Sequence, residues 1–244
     1  MSLQLSKNMN ETMTPQDEYD QRQQLESEAM LLTAAALLVI DKSVVKNTVA
    51  TSEALDKAAD NLRAARGLGF NWAKENAVNT VAANAVGVAN DADQWATDNA
   101  AYMAEYAQKI ATMLAEDYQA EELQAATSNK LAAVRQPRAE TYAIAAINGG
   151  IELAKFAMVT ALTMQLTAVK TWHNMRDSRV RKTHQLAGGQ TVPAFSTFMV
   201  GGYALRYPHD PLAPIKETAN CRCVVEYDTP IFKKVKPWTK SKSS

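Results

Sequence analysis

Cys221 and Cys223, one residue apart, form with His184 and His209 the only plausible metal set in this chain. Zinc takes four Cys or His ligands, and closing a small loop-rich region is its usual structural task. The C-x-C spacing is tighter than usual for zinc-binding cysteines. Without metal, the pair reads as two small, half-buried thiols alternating about a strand start. A disulfide between them is sterically awkward. Two cysteines make no disulfide framework, so the chain reads as a protein of a reducing compartment.

Asp177, Arg179 and His184, with Glu217 further on, are types that could do acid–base chemistry in a nuclease or transferase. Against this stands the lack of a second carboxylate pair, a phosphate-cradling glycine loop or a full metal triad. In the structural alternative Asp177 and Arg179 cap a turn and pair with a buried neighbour, Arg138 and Glu140 being the candidates. His173 stands alone after Trp172 and reads as a surface or packing residue. Arg176, Arg179, Arg181 and Lys182, together with Lys233, Lys234 and Lys236 in the tail, form an electrostatic footprint for phosphate groups. No recognition helix or base-stacking aromatic series accompanies it, so any DNA contact would be independent of sequence. A solvated surface is the alternative reading.

These residues need a scaffold, and the sequence divides accordingly. Residues 1–134 carry 10 Lys+Arg and 19 Asp+Glu, a net of −9; residues 135–244 carry 16 and 7, a net of +9. The halves could attract each other, or offer an acidic face to protein and a basic face to nucleic acid. With 244 residues, 47% hydrophobic and 21% charged, the chain can bury a real core and has an ordinary soluble composition. The first residues lack the basic and apolar regions of a signal peptide. The apolar stretch from Ala29 to Ile40 is too short to span a bilayer, so no membrane is expected.

Residues 1–13 are polar and read as a flexible N-terminus. Thr14 and Pro15, followed by Asp17 and Glu18, predict a helix start, and the helix should bury Leu31, Leu32, Ala35, Leu38 and Val39. Ser52 opens a second helix over Ala54, Leu55, Ala58, Leu62 and Ala65, which Gly67 and Gly69 should stop. A third helix is expected over 71–88. A fourth runs from a capping box at Asp91 and Gln94 to about Ala126, burying Trp95, Tyr102, Met103, Tyr106, Ile110, Met113 and Leu114. Pro137 should start another, whose Gly149-Gly150 pair implies a close contact or a kink. Short strands are expected at 172–175 and 222–227. The expected fold is α+β, mostly α: a helical docking region over 14–134, a small α+β domain over 135–228 with a long entry helix, and a basic tail over 229–244.

Two motif groups carry a resemblance. Arg138, Glu140 and Thr141, with Asn148 eight residues after the Glu, form an R-x-E-T…N helix. Trp172, Asp177, Arg179, His184, Gly189, Val192 and Pro193 are followed by Pro208, Asp210, Pro211, Glu217, Asn220, Cys221, Arg222 and Cys223. Together, over about 135–227, they resemble the phage head-morphogenesis family, the Mu protein F-like minor head proteins. That resemblance implies a virion structural protein present in a few copies inside the head, assembled in the host cytoplasm. Portal and capsid protein are the implied partners, packaged DNA lies nearby, and the family is not generally regarded as enzymatic. Some similar proteins carry a C-x-x-C pair where this chain has Arg181 and His184. A zinc-stabilised binding module therefore stays open as an alternative, beside an enzyme or toxin-like domain using Asp177, His184 and Glu217.

Overall fold

The structure is a computed structural model that describes residues 15–76, 86–161 and 168–228. The expectations for the N-terminus, for the middle of the third helix and for the lysine tail lie outside them. The described residues form a mostly helical α+β protein with six helices and five short strands.

Helix α1 spans Pro15–Asn47. It buries Ala29, Thr33, Ala36, Leu37, Ile40 and Val44, at steps of three and four. This is not the predicted stripe, and Leu31 is 74% exposed. The run is apolar on nearly every side, so its neighbours choose the face. The small side chains of Ala29 and Ala36 let α1 approach α4 closely, and Thr33 Oγ1 donates to the Ala139 carbonyl at 2.7 Å.

Helix α2 spans Ser52–Glu75, capped by Thr51, whose hydroxyl accepts from the Ala54 N–H at 3.3 Å. Ala54, Ala58, Leu62 and Ala65 are buried as expected. The helix does not stop at Gly67 or Gly69. An interior glycine costs only about 1 kcal/mol, and Gly69 lies directly against the Ile147 carbonyl of α4. Residues Asn71–Glu75 therefore continue α2 rather than open a new helix.

Helix α3 spans Val86–Ala115 and α4 spans Ala120–Ala161. Asp91 lies inside α3, and its carboxylate reaches Arg206 and Tyr207 instead of capping a helix. Trp95, Met103 and Ile110 are buried, whereas Tyr102 and Met113 are exposed. The predicted helix to Ala126 is broken by the turn at 116–119. Pro137 sits within α4 rather than at its start. An interior proline costs about 3 kcal/mol, but this stretch is held to α1 by Arg135–Asp41 at 2.8 Å and by the Thr33 bond. At 42 residues, α4 is about 63 Å long. One window of it is apolar enough to cross a membrane, but 78% of that window is buried inside the protein, as in a core helix.

The strands are β1 (Val169–His173), β2 (Thr191–Pro193), β3 (Phe198–Val200), β4 (Tyr203–Leu205) and β5 (Val224–Asp228). β1 is the centre of an antiparallel sheet ordered β2-β1-β5, and Trp172 pairs with Val225. β3 and β4 form a hairpin turned at Gly201 and Gly202, both with positive φ. Two short helices complete the lobe, α5 (Lys182–Ala187) and α6 (Ile215–Thr218).

The first apolar core joins α1–α4 and reaches Met158; the second runs from Val159 to Tyr227 around Trp172 and Phe198. Helix α4 serves both, and the boundary between residues 134 and 135 falls within it. Glu152 on α4 binds them together: its carboxylate is buried and accepts the Val225 N–H of β5 at 3.1 Å.

Candidate functional site

β1 delivers Trp172 to the centre of the second core. The chain then turns through Asn174–Val180 into α5, which carries His184 inward. Trp172 meets His184 edge-on, ring centroids 5.7 Å apart. The segment after α6 enters β5 with Cys221 and Cys223 buried and Arg222 between them turned outward. This alternation is the strand-start pattern read from the sequence, but the thiols are fully buried rather than half-buried.

His184 Nδ1 lies 3.3 Å from Cys223 Sγ and 3.5 Å from Cys221 Sγ. His184 Nε2 lies 3.2 Å from Glu217 Oε2, which also accepts from the Thr183 hydroxyl at 2.9 Å. A carboxylate accepts, so Nε2 carries the proton and Nδ1 presents its lone pair to the two sulfurs. Gly201 has room only for hydrogen here, because a Cβ on it would fall 2.6 Å from Glu217 Oε1. The Cys221 thiol is held well below its ordinary value, chiefly by the hydrogen bond from Cys223. Cys223, as the donor of that bond and buried, is pushed up.

His209 differs from its expected place. The donor atoms of His184, Cys221 and Cys223 lie within 4.8 Å of one another, and His209 falls outside that set. Its Nε2 lies 2.9 Å from the Cys221 carbonyl, so Nε2–H donates there. Its Nδ1 is buried without a hydrogen-bond partner. Its backbone is left-handed, φ 62°. Asp210 secures that turn: its fully buried carboxylate accepts from the Arg206 backbone N–H at 2.8 Å, from the Arg206 guanidinium at 2.7 Å and from the Leu212 N–H at 3.1 Å.

Asp177 is committed to Arg222, at 2.8 and 2.9 Å, and caps its turn through the Arg179 N–H at 3.0 Å. The Arg222 hydrogen bond holds its carboxyl below the usual range. The predicted partners are elsewhere. Arg138 stacks on Tyr106, 3.1 Å from the ring centroid, Glu140 is exposed, and Asn148 accepts from Arg22 at 3.1 Å. These helix residues face the α1–α3 side of α4, so the R-x-E-T…N group and the His–Cys cluster are separate sites. Arg179 is exposed, and Asn220 occupies a left-handed turn, φ 54°. Of the basic candidates, Arg176 and Lys182 are exposed, while Arg181 donates to the Lys216 and Ala219 carbonyls. His173 Nε2 lies 3.0 Å from Glu226 Oε2. A cleft of about 390 Å³ opens beside Trp172, Asn174, Asp177 and Gln185, and neither His184 nor Glu217 lines it.

Three residues that matter here escaped the sequence reading, and a fourth, Asp91, was read as a helix cap. Glu152 was signalled only as an acid within an apolar helical run. Asp91 and Arg206 join α3 to the lobe at 2.9 Å. Arg66, buried within α2, passes Gly149 and reaches the His209 carbonyl at 3.3 Å, and burial pulls its pKa down. Comparisons of this chain with protein-family models, with curated proteins and with solved structures give no match.

Proposed function

We propose that this chain is a structural minor head protein of a tailed bacteriophage, acting in head assembly by associating with the portal inside the capsid. The observation that carries the reading is what the motif residues do. Trp172, His184, Glu217, Cys221 and Cys223 contact one another inside the lobe, while Asp177 holds Arg222 and Asp210 holds Arg206. His184 and Glu217, the acid–base pair of the enzymatic alternative, are buried and the 390 Å³ cleft does not reach them. A compact lobe of this kind suits a protein that works by binding.

The helical half offers the docking surface. Glu116, Asp117, Glu121 and Glu122 are exposed around the turn between α3 and α4, beside exposed Met113 and Tyr118. Arg176, Arg179 and Lys182 are exposed on the lobe and are the described candidates for contact with packaged DNA. The test is co-expression of the full chain with the portal and capsid proteins of the same source, followed by purification of heads. The chain should copurify with portal and appear in heads, and reversing the four acids to lysine should abolish both. Heads that form normally without the chain, together with no portal binding, would refute the reading.

A further inference from the structure

We propose that His184 Nδ1, Cys221 Sγ and Cys223 Sγ bind one zinc ion, with His209 Nδ1 as fourth ligand and Glu217 as the group that orients His184. The inference stands on the side-chain geometry of the lobe and does not depend on the head-assembly reading.

Zinc bonds to sulfur at about 2.3 Å and to imidazole nitrogen at about 2.0–2.1 Å, almost always tetrahedrally in structural sites. Tetrahedral angles then separate a nitrogen from a sulfur by about 3.5 Å. The His184 Nδ1 distances to the sulfurs, 3.3 and 3.5 Å, match that spacing. Three donors at ligand spacing, all buried, occupy the centre of the lobe.

The ring tautomers fit as well. A zinc-bound histidine commonly donates its other N–H to a carboxylate or a carbonyl. His184 Nε2 faces Glu217 at 3.2 Å, and His209 Nε2 faces the Cys221 carbonyl at 2.9 Å. Both rings therefore keep Nδ1 as the free lone pair. For His209 that nitrogen is buried and has no hydrogen-bond partner, on a residue 1% exposed. His209 lies outside the 4.8 Å set, so metal entry draws its ring inward.

Charge selects the ion. Two thiolates neutralise a divalent cation, and the imidazoles stay neutral, so the ion and its four ligands together carry no net charge. A set of two thiolates and two imidazoles suits zinc rather than magnesium or calcium. All four positions are taken by protein, which describes a structural site rather than a catalytic one. Such an ion would crosslink three segments distant in sequence: α5, the His209 turn and the entry to β5.

The test uses the full chain, purified from zinc-supplemented cells. Elemental analysis should give one zinc per chain. A strong chelator should remove it, lower Tm and expose two reactive thiols; added zinc should restore Tm and protect both. Cobalt should replace zinc and give thiolate-to-cobalt charge-transfer absorption. Glu217→Gln should weaken affinity by about 10–100-fold, and His209→Ala by at least tenfold. The wild-type readouts decide the matter if Cys221→Ser or Cys223→Ser fails to fold. Two free thiols with no zinc uptake would mean a hydrogen-bonded thiol pair, and none with no zinc a disulfide; either overturns the proposal. Unchanged affinity in His209→Ala overturns the fourth ligand.

Discussion

Gly67 and Gly69 lie two residues apart on α2, yet alanine should have opposite effects at the two positions. An ideal Cβ on Gly67 meets nothing within 4 Å, so Gly67→Ala gains only helix propensity, about 1 kcal/mol. On Gly69 the same atom would overlap the Ile147 carbonyl oxygen and lie 3.0 Å from the carbonyl carbon and from Cα. Those are backbone atoms in the middle of α4, and no rotamer change relieves the contact. The helices must separate at their crossing, and overpacking of this kind costs about 1–3 kcal/mol or more. Because the obstacle is main chain, the upper end applies. After the propensity gain, Gly69→Ala should be about 2 kcal/mol less stable than wild type. For a chain of this size that is a fall of roughly 4–8 °C in Tm, against a rise of roughly 2–4 °C for Gly67→Ala. Gly150→Ala, which meets the Arg66 carbonyl and lies 2.9 Å from the Phe70 nitrogen across the same crossing, should behave like Gly69→Ala. Scanning calorimetry and guanidinium denaturation read all three. Gly69→Ala as stable as Gly67→Ala would refute the close crossing.

Other perturbations test the lobe. Asp177→Ala removes a pair whose side chains are 22% and 26% exposed, so the loss should be about 1–2 kcal/mol, short of the roughly 3–5 expected of a fully buried pair; urea titration against Arg222→Ala and the double variant isolates the coupling. Burial lowers the Lys170 ammonium from 10.5 to about 8. Between those values the unfolded chain holds the extra proton, so this group makes stability rise with pH from about 8 to 10.5 and penalises folding below it; wild type should gain on Lys170→Met across that window in denaturation curves. Asn220→Gly should be close to neutral, whereas Asn220→Val should cost about 1–2 kcal/mol at its left-handed turn, read by Tm. If about four tail lysines touch phosphate, the log–log salt dependence of DNA binding should have a slope of roughly −3 to −4, and deleting 233–244 should flatten it.

The helical half was legible where apolar and polar positions alternate clearly, as in α2. It was not legible in α1, where the stretch around Leu31 is apolar on nearly every side and partners choose the buried face. Gly67 and Gly69 looked like a stop because a sequence does not reveal that another backbone lies against Gly69, nor that the helix simply runs on through Gly67 at a small propensity cost. In the lobe, His184, Cys221 and Cys223 announced themselves by type, and the structure brings them together. Glu217 was singled out beside His184 as an acid–base candidate, and its carboxylate does meet that ring, though both are buried. Arg138 and Glu140 were assigned to Asp177, yet which face of α4 turns toward the lobe follows from the packing of α1–α3. Arg66 carried no local signal and Asp91 only the misleading one of a helix cap, since their partners are more than a hundred residues away.

A single helix contributes side chains to both cores, with Glu152 fastened to a strand of the second while Ile151 and Ala154 sit in the first. No joint lies between the two cores along that helix. A fluctuation that frays α4 near Glu152 exposes apolar surface in both at once. The two cores should therefore unfold in one transition, and a protease that finds α4 open should cut both together instead of releasing a stable fragment.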